Sequence, residues 1–217
     1  MKVKRVMFIR PGETDWNRSN RWQGQVEIPL NEHGRQQAER LAMFIQPLGI
    51  QTIYSSDLCR AKDTAEILAS TLQTHVMFDK RLRERHMGEW QGLTLQDIKS
   101  WYPDQYTNLR ENPFTYQIEG GESRQQVMSR VRACFTDIMA RSSSETIGIV
   151  SHTTAIMTIL YDLVPDSNPF DMEFSNISVT TVVCDENDNW QLSQLNDVSH
   201  LDGMPTLTLG GVTDYDM

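Results

Sequence analysis

Three residues whose side chains can bind or transfer a phosphate group follow apolar, strand-like segments of the sequence. Arg10 follows the first segment, Arg60 lies where the second passes into a helix, and His152 lies where the third does. A guanidinium group forms forked hydrogen bonds to phosphate oxygens, and a helix N-terminus also favours an anion. Because ligands of open parallel sheets bind beyond the carboxyl ends of the strands, these residues predict a phosphate pocket at one sheet edge. The segments are residues 3–9, 52–55 and 146–150.

Each of these residues, taken alone, also has a structural interpretation. Arg10 could lie on the surface, and His152 could serve only the start of its helix. Arg60 could form an ion pair with Asp57 or Asp63 instead of binding a ligand. Convergence of all three residues on one sheet edge is less expected by chance, and this convergence favours the pocket.

The order of the predicted elements indicates how the pocket is built. Strands alternate with amphipathic helices, and a two-stranded hairpin follows the last helix. Such alternation is typical of an α/β fold, here a three-layer sandwich with a mostly parallel central sheet. The predicted helices are residues 34–47, 61–72, 122–140 and 152–163, and the predicted hairpin strands are residues 177–184 and 190–195.

We expect one domain, residues 1–198, with two additions. Residues 90–118 are rich in Trp, Tyr, Pro and Asn with one weak helix, and they are interpreted as an inserted cap or lid. Residues 199–217 have few apolar side chains, and we expect this C-terminal tail to pack on the domain or on a second subunit. The second arrangement would give a homodimer.

Composition limits the classes of function. The 217 residues carry a net charge of -9, which disfavours nonspecific binding of nucleic acid or of anionic membranes. An apolar run of about 18 residues is lacking, which argues against a membrane span. Cys59, Cys134 and Cys184 form no closely spaced pair, so the sequence predicts neither disulfides nor a zinc site and favours a cytoplasmic location. No metal or organic cofactor is predicted.

Several motifs follow one another along residues 3–195. They are RPGETDWN, RWQGQVEIPLNEHGRQQA, SSDLCRAKDTAE, LRERHMGEWQGLT, GGES and VSHTTAI. In this order they resemble the histidine phosphatase superfamily, in its phosphoglycerate-mutase-like branch. The resemblance implies the same α/β fold, a small phosphorylated metabolite or inorganic phosphate as ligand, and phosphate-monoester hydrolysis as the ancestral reaction.

The resemblance also assigns roles to individual residues. Glu84 would protonate the leaving oxygen, and His152 would be the second catalytic group in the pocket. Without the resemblance, Glu84 would be interpreted as an ion-pair partner of Arg81 or Arg85. The phosphate-binding residues that it implies are Arg10, Asn17, Arg60 and His152. The residues at the substrate mouth are Gln23, Gly24, Glu122 and Ser123.

One position departs from the family's pattern. The family has Arg-His-Gly-Glu after the first strand, with the histidine as nucleophile, whereas this sequence has proline at that position, Pro11. Proline has no side-chain lone pair and its nitrogen is part of an amide, so Pro11 cannot carry a phosphoryl group. The resemblance therefore implies a phosphate-binding protein whose hydrolytic activity is strongly impaired or absent.

The sequence leaves three alternatives to an impaired enzyme open. His152, His86 or a water molecule could act as the nucleophile of an active phosphatase or of a phosphoglycerate-type mutase. The chain could instead be a non-catalytic regulatory or scaffold subunit. Pro11 could also be an introduced replacement in an ordinary phosphatase. The part of the cap around Trp101 to Tyr116 would select the phosphomonoester, which the sequence does not identify.

Overall fold

The computed structural model describes residues 3–204, and within them six strands form one sheet in the order β3-β2-β4-β1-β5-β6. The four strands from β3 to β1 are parallel to one another, whereas β5 pairs antiparallel with both of its neighbours, β1 and β6. The strands are β1 (Arg5–Ile9), β2 (Thr52–Ser55), β3 (Val76–Phe78), β4 (Thr146–Val150), β5 (Val179–Cys184) and β6 (Trp190–Asp197). The helices are α1 (Asp15–Arg18), α2 (Glu32–Ile45), α3 (Cys59–Leu72), α4 (Leu95–Trp101), α5 (Pro103–Glu111), α6 (Arg124–Arg141) and α7 (Thr153–Leu163).

Helices cover both faces of the sheet, which confirms the predicted three-layer α/β sandwich. Alternate side chains of β1 point to opposite faces, as the period of a strand requires. Val6 and Phe8 pack in a core with residues of α6 and α7. Met7 and Ile9 pack in a second core with residues of α2 and α3. The central strands are buried on both faces, which explains why their sequences are continuous apolar runs.

The carboxyl ends of the central strands meet at one edge of the sheet. The Ser151 amide donates to the Ile9 carbonyl at 3.0 Å, and the Ser56 amide donates to the Val150 carbonyl at 3.0 Å. The residue after each strand, Arg10 for β1, therefore lies beside the residue after its neighbour. This edge is where the sequence predicted the pocket.

Several elements differ from the sequence predictions by a few residues, and three differences stand out. The strand β3 was not predicted, because its three residues lie at the sheet edge and two of them are exposed. Helix α2 begins two residues earlier than predicted, at Glu32, because the Asn31 side chain accepts from the Gly34 amide at 2.8 Å as an N-cap. Residues 90–118 contain two helices, α4 and α5, where one weak helix was predicted.

Residues 90–118 contribute to a small core of their own. Trp90 is fully buried and its ring lies 5.7 Å from that of Trp22, centroid to centroid. Leu109 and Ile118 pack in the same cluster. This third cluster is separate from the two cores that flank the sheet. The role of the segment as a cap over the pocket stays a prediction.

The first part of the C-terminal tail packs on the domain. Residues Ser199–Leu201 form a short helix against α2, with His200 buried beside the Phe44 ring at 5.6 Å. Arg40 donates to the Asp202 carbonyl at 3.2 Å. The rest of the predicted tail, residues 205–217, lies outside the described residues. The division of the chain at residue 198 stays a prediction.

The three cysteines are free thiols in the structure. Burial raises the pKa of the Cys134 thiol to about 12. Burial, together with the Glu27 carboxylate, raises the pKa of the Cys59 thiol to about 11. Across residues 3–204, no helix combines the length and the apolar composition that crossing a bilayer requires.

A close contact between two backbones fixes the turn that follows β1. A Cβ atom added to Gly34 would lie 2.1 Å from the Glu13 carbonyl oxygen and 2.7 Å from the Glu13 nitrogen. Alanine inside a helix is ordinarily better than glycine by about 1 kcal/mol. Here we expect Gly34→Ala to lower the free energy of unfolding by about 2–3 kcal/mol, because the backbone must move apart.

Urea unfolding of the Gly34→Ala chain measures this effect. Glu39→Ala, at an exposed position of the same helix, is the control and should change stability by less than about 0.5 kcal/mol. A Gly34→Ala chain as stable as the native protein would show that the turn is not held by this contact.

Candidate functional site

The turn after β1 forms the floor of the site. Pro11 is buried, and its carbonyl accepts a hydrogen bond from the Ile177 amide at 3.1 Å. The Gly12 amide donates to Thr64 Oγ1 of α3 at 3.2 Å. The backbone on each side of Pro11 is therefore fixed by the rest of the fold, and the residue at position 11 lies next to the ends of β1 and β4.

Arg10 is held at this floor by the loop that precedes β5. Its amide donates to the Ser178 carbonyl at 3.2 Å, and its guanidinium donates to the Phe174 carbonyl. Among residues 3–204, no carboxylate lies within salt-bridge distance of this guanidinium. Its positive charge is therefore not neutralised by a protein partner.

Arg60 is 4% exposed and is bound by backbone oxygens instead of by an acid. It donates to the Gly24 carbonyl at 2.8 Å and to the Val26 carbonyl at 3.1 Å. Burial lowers the pKa of Arg60 to about 10, and the nearby Arg10 charge acts in the same direction. Desolvation of a cation without an acidic partner is costly, and an anionic ligand would relieve that cost.

The ion-pair alternative for Arg60 is wrong. Asp57 binds Arg83 with two hydrogen bonds, of 2.6 and 2.7 Å. Asp63 binds Arg35 at 2.9 Å. Both expected acidic partners therefore bind other arginines, and neither of them forms an ion pair with the buried Arg60 guanidinium.

His152 lies at the N-cap position of α7 and is 4% exposed. Its Nε2 atom lies 2.9 Å from Ser56 Oγ, at the end of β2. Burial lowers the pKa of His152 well below its ordinary value, and the charges of Arg60 and Arg10 add to the effect. The imidazole is therefore neutral at pH 7 and keeps a lone pair on one ring nitrogen.

The neutral state of His152 predicts a pH dependence of stability. An unfolded histidine takes up a proton near pH 6.5, whereas His152 in the fold takes it up only at lower pH. As the pH falls below about 6.5, the unfolded state binds more protons, and the contribution of His152 to stability decreases by up to about 1.4 kcal/mol per pH unit.

Urea unfolding between pH 7.5 and 5 in phosphate-free buffer checks this effect. We expect His152→Asn to be less sensitive to acid than the native chain, whatever its stability at pH 7.5. His75→Asn, at an exposed position, should keep the native slope. An unchanged slope in His152→Asn would contradict a neutral, buried imidazole.

The Glu84 carboxylate is held by two backbone amides, one from the next residue and one from the first turn of α7. Its Oε1 accepts from the Arg85 amide at 2.6 Å, and its Oε2 accepts from the Thr154 amide at 3.2 Å. Arg81 binds Asp79 instead, at 2.7 Å, and the Arg85 guanidinium donates to two backbone carbonyls. The ion-pair alternative for Glu84 is therefore wrong. Its carboxylate binds the Thr154 amide, two residues after His152 in the chain.

Asn17 lies in the helical turn that follows the floor. Its Oδ1 accepts from the Thr14 amide at 3.0 Å and from Thr14 Oγ1 at 2.9 Å. Its Nδ2 amide has no acceptor among residues 3–204. The contact with Thr14 fixes the amide oxygen and leaves the donor end of the side chain for a ligand. Contact of Asn17 with phosphate stays a prediction.

The loop that contains Gln23 and Gly24 is bound to the start of α3. Gly24 has a φ of +50° and gives its carbonyl to Arg60. The Glu27 carboxylate accepts from the Cys59 amide at 2.7 Å and so caps α3 from a distance. Gln23 has a buried Oε1 with no partner in the described part of the chain. The loop therefore lies beside Arg60, and its role as the substrate mouth stays a prediction.

Glu122 and Ser123 both make hydrogen bonds within the fold at the start of α6. The Glu122 carboxylate binds Arg130 at 2.8 and 2.9 Å and accepts from the His86 amide at 2.9 Å. Although burial opposes it, this hydrogen bonding lowers the pKa of Glu122. Ser123 Oγ accepts from the Gln126 amide at 3.2 Å and caps α6. Both side chains organise the start of α6, and their place at the substrate mouth stays a prediction.

Sequence reasoning missed three residues that contact the site. Ser56 contacts the His152 ring from the end of β2. Gln25 donates to the Glu84 carbonyl at 2.9 Å and to the Glu122 carboxylate at 3.3 Å. Arg130 binds the same two residues from α6. The sequence indicated these three residues only by their positions inside or near the motifs. Their contacts with Glu84 and His152 join segments that are distant in the sequence.

The arrangement can bind an oxyanion. Besides burial, the charges of Glu84 and Arg10 act on the pKa of Arg60, and those of Arg60 and Arg10 act on the pKa of His152. Among residues 3–204, Arg10 and Arg60 form no salt bridge with an acid, and Arg10 lies at the sheet edge that also carries the neutral His152 imidazole. Across residues 3–204, no group of three or more His, Cys, Asp or Glu side chains could hold a metal ion.

Comparison with known proteins gives one family. Residues 6–198 match the family described as the histidine phosphatase superfamily (branch 1). The chain is 34% identical over 200 residues to the phosphoglycerate mutase-like protein 4 of Arabidopsis thaliana, covering 91% of this chain and 86% of the relative.

Two solved structures have folds similar to that of this chain. A mycobacterial glucosyl-3-phosphoglycerate phosphatase in complex with VO3 superposes with a TM-score of 0.79 at 33% identity, covering 89% of this chain and 99% of that chain. Bacillus stearothermophilus YhfR superposes with a TM-score of 0.80 at 31% identity, covering 91% and 98% of the two chains. These similarities extend over nearly the whole fold.

Proposed function

Because the chain belongs to the histidine phosphatase superfamily (branch 1), we propose that it binds phosphomonoesters or inorganic phosphate between Arg10, Arg60 and His152. The observation that carries this proposal is the buried Arg60 guanidinium, which has backbone partners but no carboxylate. The similar mycobacterial phosphatase in complex with VO3, a phosphate-like oxyanion, also supports it. Asn17 adds a donor at the side of the floor.

The proposed protein turns phosphomonoesters over weakly or not at all. Pro11 stands where the resemblance expects the histidine that carries the phosphoryl group. Its ring cannot act as a nucleophile, because the nitrogen lone pair belongs to the amide. Glu84 would keep the role of proton donor to the leaving oxygen, without the covalent step that normally precedes hydrolysis.

One observation favours an active phosphatase as the second candidate. The lowered pKa of His152 leaves its imidazole neutral, and a neutral imidazole is a nucleophile or a base. In this alternative, His152 or a water molecule attacks the phosphorus atom. The contact of Nε2 with Ser56 Oγ opposes attack by that nitrogen, since its lone pair or its proton is already engaged.

The proposed ligand is a small phosphorylated metabolite, and the site is not proposed to take nucleic acid or a membrane surface. The free cysteines support a cytoplasmic location, as the sequence predicted. A homodimer is also proposed, as is a regulatory or scaffold role, because a binding site without turnover can act as a sensor.

Isothermal titration of the native chain with inorganic phosphate and with vanadate tests the proposed function. We expect one site per chain for each anion, with competition between the two. Sulfate and acetate titrations control for general anion binding. A chain that binds neither phosphate nor vanadate at millimolar concentration would rule the proposal out.

A further inference from the structure

The segment that carries Glu84 is held by one side chain from another element. Arg130, on α6, donates to the carbonyls of Arg81 and Arg83 at 2.8 and 2.7 Å. It also donates to the Glu84 carbonyl at 2.8 Å. Three backbone oxygens within four residues therefore converge on one guanidinium.

The remaining donors of Arg130 bind an acid that contacts the same segment. Nε and Nη2 of Arg130 bind the two oxygens of Glu122, at 2.8 and 2.9 Å. The Glu122 carboxylate in turn accepts from the His86 amide at 2.9 Å, just beyond Glu84. Gln25 links the Glu84 carbonyl to the Glu122 carboxylate from the opposite loop. The backbone on both sides of Glu84 is thereby fixed.

This segment has little secondary structure to hold it otherwise. Residues Lys80–Leu82 form one short 3-10 turn, and Arg83 has an extended backbone. Within the described residues, neither a strand nor a longer helix contains Glu84. The backbone that leads to Glu84 is therefore held by side chains of other elements, and three of these contacts come from Arg130.

We infer that Arg130 is a positioning residue for Glu84. It holds the Glu84 carboxyl group where this group can protonate the leaving oxygen while the imidazole of Pro11→His forms a bond to phosphorus and the bond from phosphorus to the leaving oxygen breaks. This inference rests on the proposed function, which gives Glu84 the role of acid. An arginine is suited to this task because its planar fork places several donors in fixed directions. A lysine would keep the charge but could not reproduce the five contacts.

The test uses the full chain with Pro11→His, so that the covalent step is available, and compares Arg130→Lys with Arg132→Lys. Arg132 lies on the same helix in an exposed ion pair with Asp162 and is the matched control. Two substrates are used. Glycerol phosphate leaves as an alkoxide that needs a proton, whereas p-nitrophenyl phosphate leaves as a stable phenolate that does not.

We expect Arg130→Lys to lower kcat for glycerol phosphate by about 100-fold, the size of effect that a misplaced catalytic group produces. For p-nitrophenyl phosphate, kcat should fall by less than about threefold, and KM for both substrates should stay within about twofold. Arg132→Lys should change neither substrate. Adding Arg130→Lys to Glu84→Gln should cost nothing more, because both changes remove the same proton transfer.

Equal losses for the two substrates would overturn the inference, since they would indicate general damage to the fold. Additive effects of Arg130→Lys and Glu84→Gln would also overturn it. So would a Pro11→His chain that turns over neither substrate. Phosphate binding by Arg130→Lys is measured separately and should be native. Loss of phosphate binding in the native chain itself would instead be a failure of the proposed function.

Discussion

Replacing Pro11 by histidine is expected to raise the rate of phosphomonoester hydrolysis by at least about 10,000-fold over the native chain. Removing the nucleophile from a catalytic unit commonly costs about a millionfold in rate, so restoring it should recover much of that factor. The backbone is prepared for the change, because the Pro11 carbonyl is held by the Ile177 amide and Gly12 is held by Thr64. The imidazole of Pro11→His would lie just after β1, next to Arg10 and at the sheet edge that carries His152.

The measurement is initial-rate kinetics on p-nitrophenyl phosphate and on a panel of phosphate monoesters. Pro11→Ala is the matched control, because it removes the proline ring without supplying a nucleophile, and it should gain less than about tenfold. Acid-labile phosphate on the new histidine should be trapped during turnover. A native chain already as fast as Pro11→His would contradict the proposal that the nucleophile is missing and would favour the active-phosphatase alternative.

Replacing Arg60 by alanine is expected to abolish the stabilisation of the protein by phosphate. A ligand at 100 times its Kd stabilises a fold by about 2.7 kcal/mol. For a chain of this size that corresponds to a rise in Tm of about 5–10 °C. Without the Arg60 guanidinium, the anion would lose its most buried cation, and Tm should no longer depend on phosphate.

The relevant quantity is the difference in Tm with and without phosphate, not Tm itself. Arg60→Ala also releases the Gly24 and Val26 carbonyls, so its Tm without phosphate should be lower than that of the native chain. Arg35→Ala is the control, because Arg35 is an exposed arginine paired with Asp63 of α3. It should retain the whole phosphate-induced rise. A full rise in Arg60→Ala would mean that phosphate binds elsewhere.

The elements that the sequence predicted best are those whose buried residues form a continuous or periodic apolar run in the sequence. Strand β4 is buried at every residue, and its apolar run alone gave its bounds. Strand β3 left no such pattern, because Met77 and Phe78 are exposed and its only neighbour in the sheet is β2. Helix α4 begins with a Thr94 and Asp97 capping box, a local signal that the mixed composition of residues 90–118 obscured.

The sequence predicted which residues lie at the candidate site, but not the contacts that those residues make with distant segments. Motifs located Arg10, Arg60 and His152, and the meeting of the strand ends brought them to one edge. The contact between His152 and Ser56 spans 96 residues, and no local pattern encodes it. Whether an acid such as Glu122 faces a ligand or an arginine also depends on side-chain packing, even though its partner Arg130 lies only eight residues further along the chain.

A crystal structure of the native chain soaked with vanadate tests the phosphate pocket most directly. The oxyanion should lie between the guanidinium groups of Arg10 and Arg60, with the His152 ring beside it and no covalent bond to position 11. Both arginines should turn donors toward it while Arg60 keeps its contacts with the loop at Gly24. Vanadate bound at another surface, with this space holding only solvent, would contradict the proposed function.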